Sequence, residues 1–599
     1  MMHQLGHIYP KFTAGWKKLE TYLQRSEVIF YGIICVLLML RGILGHWAGI
    51  WMISKAYSDD ALMIRYADFQ GYFFDRTLPW HDELLKDMGY PLFLQMVHFF
   101  GINYVDAITA LWFLAALLIG RSFDALTQSG NRVVFIAIYS FILFHPIAFD
   151  AMAGTRLYRN SILTPAYFIV FAMSAITFAR YFYQKTCDLK YLFLWQITFG
   201  ILFTWTYYLK EDGIWLLLCM ISVTLGILGI LIFVNIREQY FRINFFLVHV
   251  SLLLLPFAVF WGGTVAYRMI NYQYFGVREI NTRTAGELER FCKNIYRIDS
   301  KERTVAIWAP TDAVMQAFEA SKTLKENKEL REAILHTPWF NHDIRSTPIV
   351  GDFLSWVLPT ALAESKTCTS QLEMQTYLRY VNDELEESFN KGILKEDDKI
   401  QLIPSMGGCS LTEIFDLRKS IAKEYFMVIV PAYIYTHPVL TSYDFNIYNL
   451  DKNEDAHVIL QASEYTGINM FEDNNHEKLI NSIANVQFIT YSVLQCALVW
   501  MTWFGTVYFL RKCLIRKECL ESKEYLCVFI VVAMLLVSSV YALAIAWFTK
   551  FLFVNGGKLV GMLCLNFYSV GLIPMLVFVE LSGGYLFYRY IQQKNHIRE

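Results

Sequence analysis

Read along the chain, apolar residues gather into long runs, separated by short polar stretches and by one long polar segment. A run of about twenty apolar residues suits a helix crossing the hydrocarbon core, where backbone groups find no water and must pair within the segment. Such runs lie at about 28–53, 104–120, 133–149, 162–182, 191–209, 213–235, 243–269, 485–510, 525–547 and 561–589. They predict a polytopic α-helical membrane protein with about ten transmembrane helices. The first run is long, starts late and has no small-residue cleavage pattern after it. It reads as a signal-anchor helix rather than a cleaved signal peptide.

The polar stretches carry a direction. Lys11, Lys17, Lys18 and Arg25 precede the first run. Arg121 with Arg132, Lys185 with Lys190, Arg237 with Arg242, then Arg511, Lys512, Arg516 and Lys517, and finally Lys594 with Arg598, mark every second loop. Positive residues concentrate on the cytoplasmic side. Both termini are therefore expected inside, and segments 54–103, 150–161, 271–484 and 548–560 outside. Tyr90–Phe100 is expected to be a helix that does not cross, with Pro91 in its first turn and Gly101 as its stop. A crossing there would move every later loop to the wrong side.

Segment 271–484 is too polar and too long for a loop. It is expected to be a mainly helical extracytoplasmic domain, inserted late between a transmembrane module at 1–270 and C-terminal transmembrane helices at 485–599. Within it, Ser370–Lys391 places Leu378, Val381, Leu385 and Phe389 on one helical face, and Gly392 follows as a stop. The apolar stretch Met427–Tyr435, with Pro431 inside it, suits either the membrane surface or the domain core. No Asn-x-Ser/Thr acceptor occurs in this domain, which favours a bacterial envelope over a glycosylating compartment.

Composition agrees. The hydrophobic fraction is 55% and the charged fraction 18%, against about 45–50% and about 25% in ordinary soluble proteins. The formal net charge of −1 offers no bulk attraction to nucleic acid. The cysteines show no C-x-x-C or zinc spacing. Only Cys292, Cys368 and Cys409 fall in the polar domain, where one disulfide could form with one thiol left over. No internal repeat stands out, and the runs divide unequally around the domain, unlike the inverted repeats of many transporters.

Several outside segments could carry chemistry. Ser58-Asp59-Asp60 opens a pattern with Leu62, Ile64, Tyr66 and Phe69 on a helix that also holds Arg65, Asp68 and Gln70, which suits a helix along the membrane interface. Carboxylates at a helix start stay ionised in its dipole field. Asp59 or Asp60 could take a proton from a hydroxyl, or the pair could hold a divalent cation; an acidic first turn is the plainer reading. Lys86 could meet an anionic head group, or simply anchor the interface with Tyr90.

The short second outside loop holds His145, Asp150, Arg156 and Arg159. Paired arginines suit a phosphate in forked geometry, or snorkelling to lipid. Lys210-Glu211-Asp212 lies between two runs with almost no loop, facing a cavity or neutralising itself in a hairpin. Arg41 and His46 inside the first run suit a bundle-facing or snorkelling role. Under one topology Asp59, Asp60, Lys86, Arg156, Arg159, Lys210 and Glu211 all reach the same outer interface.

This order of parts over roughly 28–270 resembles the GT-C glycosyltransferases, polytopic enzymes that use lipid-linked sugars. The resemblance rests on Ser58-Asp59-Asp60, the surface-helix start Gly89-Tyr90-Pro91-Leu92-Phe93-Leu94, the loop Arg156-Leu157-Tyr158-Arg159 and the turn Lys210-Glu211-Asp212. The protein mannosyltransferase and aminoarabinose transferase branches look most similar. Those families often carry Gly-Pro ahead of the surface helix, where this chain has Asp87-Met88. The domain at 271–484 looks like a large outside segment of uncharacterised bacterial relatives.

The resemblance implies a sugar donor on polyprenyl phosphate and an envelope glycan, lipid or protein as acceptor. It implies Asp59 or Asp60 as general base or acceptor-orienting group. Arg156, Arg159 and Lys210 would stabilise the departing phosphate, and Lys86, Tyr90, Asp150 and Glu211 would complete the binding site. No cofactor is required by this reading, although Mg or Mn at Asp59 and Asp60 is compatible with it. Two other readings stand beside it: a transporter or flippase for a lipid-linked or anionic solute, and a non-catalytic envelope assembly protein. A transporter is expected to place coupling charges at mid-bilayer rather than at the outer edge.

Overall fold

The computed structural model describes residues 21, 23–24, 26–53, 58–68, 78–183, 188–237, 243–336, 348–401, 403, 405–434, 454–470, 475–555 and 557–596. Lys11, Lys17, Lys18, Arg25, Phe69, Gln70, Lys185, Arg242, Tyr435 and Arg598 lie outside the described residues. Regular structure among the described residues is helical, and extended segments meet only in isolated bridges.

The first part of the chain forms α1 (Glu27–Ala48), α2 (Asp59–Asp68), α3 (Gly89–Phe99), α4 (Tyr104–Thr127), α5 (Arg132–Leu143), α6 (Asn160–Phe182), α7 (Leu189–Tyr207), α8 (Ile214–Arg237) and α9 (Ile243–Phe275). The polar segment forms α10 (Glu287–Tyr296), α11 (Thr311–Ala320), α12 (Lys322–Glu326), α13 (Lys328–Leu335), α14 (Leu354–Glu364), α15 (Gln371–Asn390), α16 (Leu411–Asp416), α17 (Arg418–Ile429) and α18 (Glu454–Thr466). The last part forms α19 (Glu477–Leu514), α20 (Ser522–Phe548), α21 (Lys550–Asn555), α22 (Gly557–Tyr568) and α23 (Leu572–His596).

Nine helical stretches among the described residues are long and apolar enough to cross a membrane, so the chain is a polytopic helical membrane protein. The tenth expected span, 191–209, exists as α7 but is not among the nine. Its Tyr191, Trp195, Gln196, Trp205 and Tyr207 dilute the aliphatic residues that raise mean hydropathy. Polar side chains start several helices: Ser26 accepts from the Ile29 N–H at 3.3 Å, and Asn103 and Asn131 accept from the N–H groups of Val105 and Val133 at 2.9 Å. Helix α6 is the buried centre, packed by α4, α7, α8 and α23. By contrast, α1, α8 and α9 keep wide apolar faces exposed, as lipid contact requires.

The short helix α3 starts at Gly89 and stops before Gly101, whose φ is +61°, so it forms at the expected place and is too short to cross. Helix α2 departs from expectation. Its apolar residues face protein, and it is buried from Asp60 to Ala67 apart from Arg65, because α3 and α18 pack against it. Gln461 and Tyr465 of α18 both donate to its Asp68.

In the polar segment α15 forms as read, with Ser370 capping it, Leu378, Val381 and Leu385 buried, and Gly392 at φ +71° beyond its end. Helices α10 and α15 pack together over a core that includes Phe291, Ile295, Trp308 and Leu378. That core continues into Leu85 and into Trp547 of α20. The domain is thereby built onto the transmembrane part. The stretch 427–434 and the residues just before it pack on the spans: Ala432 N–H donates to Ser492 of α19 at 3.0 Å, and Tyr425 meets Ser538 of α20 at 2.7 Å. Cys292, Cys368 and Cys409 are each buried and free.

Candidate active site

Adjacent residues in a helix point about 100° apart, so Asp59 and Asp60 need not share surroundings. Ser58 fixes the start of α2 by accepting from the Ala61 N–H at 3.2 Å while donating to the Ile53 carbonyl at 2.9 Å. Asp60 then points inward and is fully buried. Arg156 grips it in a fork, Nε to Oδ2 at 2.9 Å and Nη2 to Oδ1 at 2.6 Å, and the Ile53 N–H donates to Oδ2 at 2.9 Å. Burial raises the Asp60 carboxyl above its ordinary range, and Arg156 opposes that rise.

The loop bearing Arg156 is held by backbone pairing to the end of the first span. Trp51 N–H donates to Thr155 O at 3.1 Å, and Leu157 N–H donates to Trp51 O at 2.7 Å. The Arg156 guanidinium lies beside the stacked rings of Tyr158 and Phe567, 5.1 and 5.3 Å from their centroids.

Asp59 points the other way and keeps 41% of its side chain exposed. Lys86 donates to it at 3.2 Å and Tyr158 at 3.2 Å. Burial pushes this carboxyl up, but Lys86, Arg159 and Arg283 outweigh burial and hold it below its usual range. Lys86 itself is buried, 4.8 Å from the Trp356 ring centroid, and burial lowers its ammonium pKa.

Arg159 donates to Glu211 at 2.6 Å, and Lys210 donates to Asp212 at 2.8 Å. The 210–212 turn is thus half self-neutralising and half engaged across the site. Burial would raise the Glu211 carboxyl, yet Arg159 and Lys86 drive it well below the usual range. Asp87 is buried with Asn281 donating to it at 3.3 Å; burial and the neighbouring Glu211 raise it to about 7. The turns meet through Gly89, whose N–H donates to Tyr208 O at 2.9 Å. A Cβ on Gly89 would collide with that backbone.

The domain closes the group. Arg283 donates to Asp352 and to Ser355 Oγ at 3.0 Å, and lies 4.2 Å from the Trp356 ring centroid, the ring that also faces Lys86. Asp59, Asp60, Lys86, Arg156, Arg159, Lys210 and Glu211 are therefore gathered at one junction, in five cation–carboxylate pairs that include Lys210–Asp212 and Arg283–Asp352.

Two expected binding residues serve the scaffold instead. Asp150 is fully buried and accepts from the Met152 and Ala153 N–H groups at 3.0 and 2.9 Å, shaping its own loop. Tyr90 is buried in a hydroxyl chain: it meets Tyr104 at 2.7 Å, Tyr104 meets Ser161 at 2.8 Å, and Ser161 donates to Tyr158 O at 2.7 Å. It holds the Tyr158–Arg159 segment from below. Arg283, Asp352 and Trp356 had no local signal, lying far along the chain in an unremarkable polar stretch. Tyr158 and Asp212 stood inside the motifs and were legible from them.

The donor set does not suit a divalent cation. Both Asp60 oxygens accept from Arg156, Asp59 is paired with Lys86, and no group of three His, Cys, Asp or Glu side chains converges among the described residues. What the arrangement does offer is one water-accessible ionised carboxylate beside several buried cations. Arg159 Nε and Glu211 Oε1 are buried without hydrogen-bond partners among the described residues, so the pair whose arginine acts on Asp59 is incompletely bonded. No family model matches the chain, and neither a curated protein nor a solved structure is significantly similar to it.

Proposed function

We propose that this chain is a GT-C-like membrane glycosyltransferase. It moves a sugar from a polyprenyl-phosphate donor to an envelope glycan, lipid or protein at the outer face of a bacterial cytoplasmic membrane, with α7 crossing as a tenth span, both termini inside and the 271–484 domain outside. The observation that carries this reading is the half-exposed Asp59 carboxylate set beside Arg159, whose buried Nε has no partner among the described residues. A carboxylate held below its usual range is ionised before substrate arrives. It can accept the acceptor hydroxyl and take its proton as the bond to the anomeric carbon forms. The bond from that carbon to the phosphate oxygen breaks, and its electron pair stays on the phosphate.

Negative charge then grows on the phosphate within reach of Arg159, Lys86 and Arg283. Preset cations in a site shielded from water act strongly there and need no reorganisation. Arg156 is bound to Asp60 on the inner side, so its role is to hold the loop carrying Tyr158 and Arg159. The domain supplies Arg283 and Trp356 as a roof, which suits acceptor binding.

The test compares envelope lipids and glycans with and without the chain, then restores it as wild type or Asp59→Asn at equal protein level. Asp59→Asn is expected to lower transfer by about 10²–10⁴-fold. Full transfer by Asp59→Asn removes the assignment, and labelling that places Ser58 or the stretch beyond Asn271 in the cytosol removes the outer-face placement.

A further inference from the structure

Helix α17 joins the polar domain to the spans, and its contacts fix its course. Leu417, just before it, shares the domain core with Ala546 and Trp547 at the Phe548 end of α20. Ile421 packs against both that core and the core of the spans. Tyr425 meets Ser538 of α20 at 2.7 Å, and Met427 and Val428 lie in the core of the spans. Ser538 is ten residues inside the Phe548 end of α20, about 15 Å along its axis. The helix therefore runs antiparallel to α20 and descends beside a membrane span. Beyond it, the Ala432 N–H donates to Ser492, well within α19.

The helical period divides α17 into two faces. Ser420, Glu424, Met427 and Val428 share the buried face, where Glu424 accepts from Ser569 Oγ at 3.3 Å. Arg418, Lys419, Ala422, Lys423 and Phe426 share the opposite face, and all are exposed. Arg418 meets Asp416 at 3.3 Å and lies 4.0 Å from the Phe415 ring centroid. Lys419 and Lys423 form no ion pair among the described residues, and Lys423 Nζ lies 5.6 Å from the Phe553 ring centroid. Three cations thus face one carboxylate. Below them, Phe426 meets Tyr433 edge to face at 5.1 Å, and both rings are exposed. On the spans at that level, Leu536 and Val540 of α20 and Ile489 and Val493 of α19 are exposed too. Cations above aromatic rings match the passage from head groups to acyl chains.

We propose that the exposed face of α17 docks one anionic phospholipid of the leaflet that holds the Phe548 end of α20. Its phosphodiester lies against Arg418, Lys419 and Lys423, and an acyl chain follows Phe426 and Tyr433 down the spans. A basic face that served only solubility would need neither the descent beside α20 nor exposed aromatic rings at its foot. A zwitterionic head group would bring a cation of its own against three bases, whereas an anionic one brings none. The polyprenyl-phosphate donor is not this occupant. Glu424, on the buried face, turns toward Ser569, which adjoins Tyr568, and the Tyr568 ring lies 5.3 Å from Lys210 Nζ. The cationic face is opposite and looks away from that centre. It shares no residue with the proposed transferase site and stands whether or not that reading holds.

The experiment uses the full-length protein in phosphatidylcholine nanodiscs carrying rising fractions of phosphatidylglycerol. Native mass spectrometry counts the phosphatidylglycerol molecules that stay bound on release. Basic segments elsewhere in the chain contribute equally to every variant, so the difference reports this face. Wild type is expected to retain one more molecule than the double variant Lys419→Gln with Lys423→Gln, whose affinity at this face should fall about thirtyfold with two head-group cations removed. Phe426→Ser, with both lysines in place, is expected to bind about fivefold more weakly through loss of the chain contact. Equal counts in wild type and the double variant overturn the site, as does unchanged affinity in Phe426→Ser. Glycerol phosphate in solution, which has the head-group chemistry without chains, is expected not to compete at equal concentration. Full competition by it overturns the lipid assignment and marks a site for free phosphate esters instead.

Discussion

Two arginines show how differently one kind of contact behaves in two parts of this molecule. Arg290, on the face of the polar domain, reaches Glu386, Asp383 and Glu287 at 2.7, 2.9 and 3.2 Å. Arg156, at the junction with the spans, holds the single carboxylate of Asp60. By number of partners Arg290 is the better anchored. By surroundings it is not: Asp383 and Glu386 stay 62% and 41% exposed, and water competes for both contacts, whereas Asp60 is fully buried. The importance of an ion pair lies in what remains when one partner is removed. At the domain face water replaces it. At the junction nothing does.

The sharpest way to break this comparison is Asp60→Asn. It leaves the Arg156 guanidinium buried and uncompensated, a change of about 3–5 kcal/mol in other buried pairs. The expected result is a strong loss of folded protein, read as a drop in the unfolding midpoint of the full chain. The double variant Asp60→Asn with Arg156→Met should recover much of the loss, since it removes the stranded charge. If Asp60→Asn unfolds no more easily than a substitution at Glu386, burial is not the deciding variable.

The spans were legible because lipid imposes a single rule on a long stretch of sequence, and an apolar run states it locally. The exception, α7, carries aromatic and polar residues where an aliphatic run would be unmistakable. Charged residues of the site were legible as a set, because acids and bases at the ends of apolar runs have few places to go. Their pairing was not. Glu211 partners Arg159 rather than Lys210, and Asp60 partners Arg156 rather than a metal, because the choice depends on which loops touch. Arg283 and Trp356 belong to the site only through a domain core that extends into Leu85 and Trp547, a contact that no local pattern encodes. Asp150 looked like a ligand for a similar reason. A polar residue in a short outside loop reads the same whether it faces substrate or its own backbone.

A second prediction concerns an acid at the junction that is not held charged. Asp87, raised to about 7 by burial and by Glu211, stays protonated in the folded chain where the unfolded chain has already lost its proton. The folded state then binds more protons, so this group lowers stability as pH rises from about 4 to about 7, and its effect is level above that. Glu211 and Asp59, both held below their usual range, act in the opposite sense: their stabilisation is complete above the ordinary carboxylate range and is lost as pH falls through their depressed values. Asp87→Asn is expected to make the decline between pH 4 and 7 shallower, the buried Asp60 supplying part of what remains, while leaving the acid-side loss in place. Unfolding midpoints of both proteins across pH 4 to 8 check this, and parallel curves would show that Asp87 is not the group responsible.

The smallest effect is expected at the domain face, and its smallness is the point. Glu386→Gln removes the charge and one of the two oxygens that meet Arg290 at 2.9 and 2.7 Å, and leaves Asp383 and Glu287 within reach of the same guanidinium. An exposed pair of this kind contributes about 0.5 kcal/mol, and less as salt screens it. The unfolding midpoint of Glu386→Gln should lie close to wild type in low salt and coincide with it in high salt. The Asp60→Asn deficit should persist in high salt, because ions cannot enter to screen Arg156. A Glu386→Gln deficit that survives high salt would mean that the Arg290 group acts as a buried pair despite its exposure, and the contrast between the two arginines would then rest on geometry rather than on water.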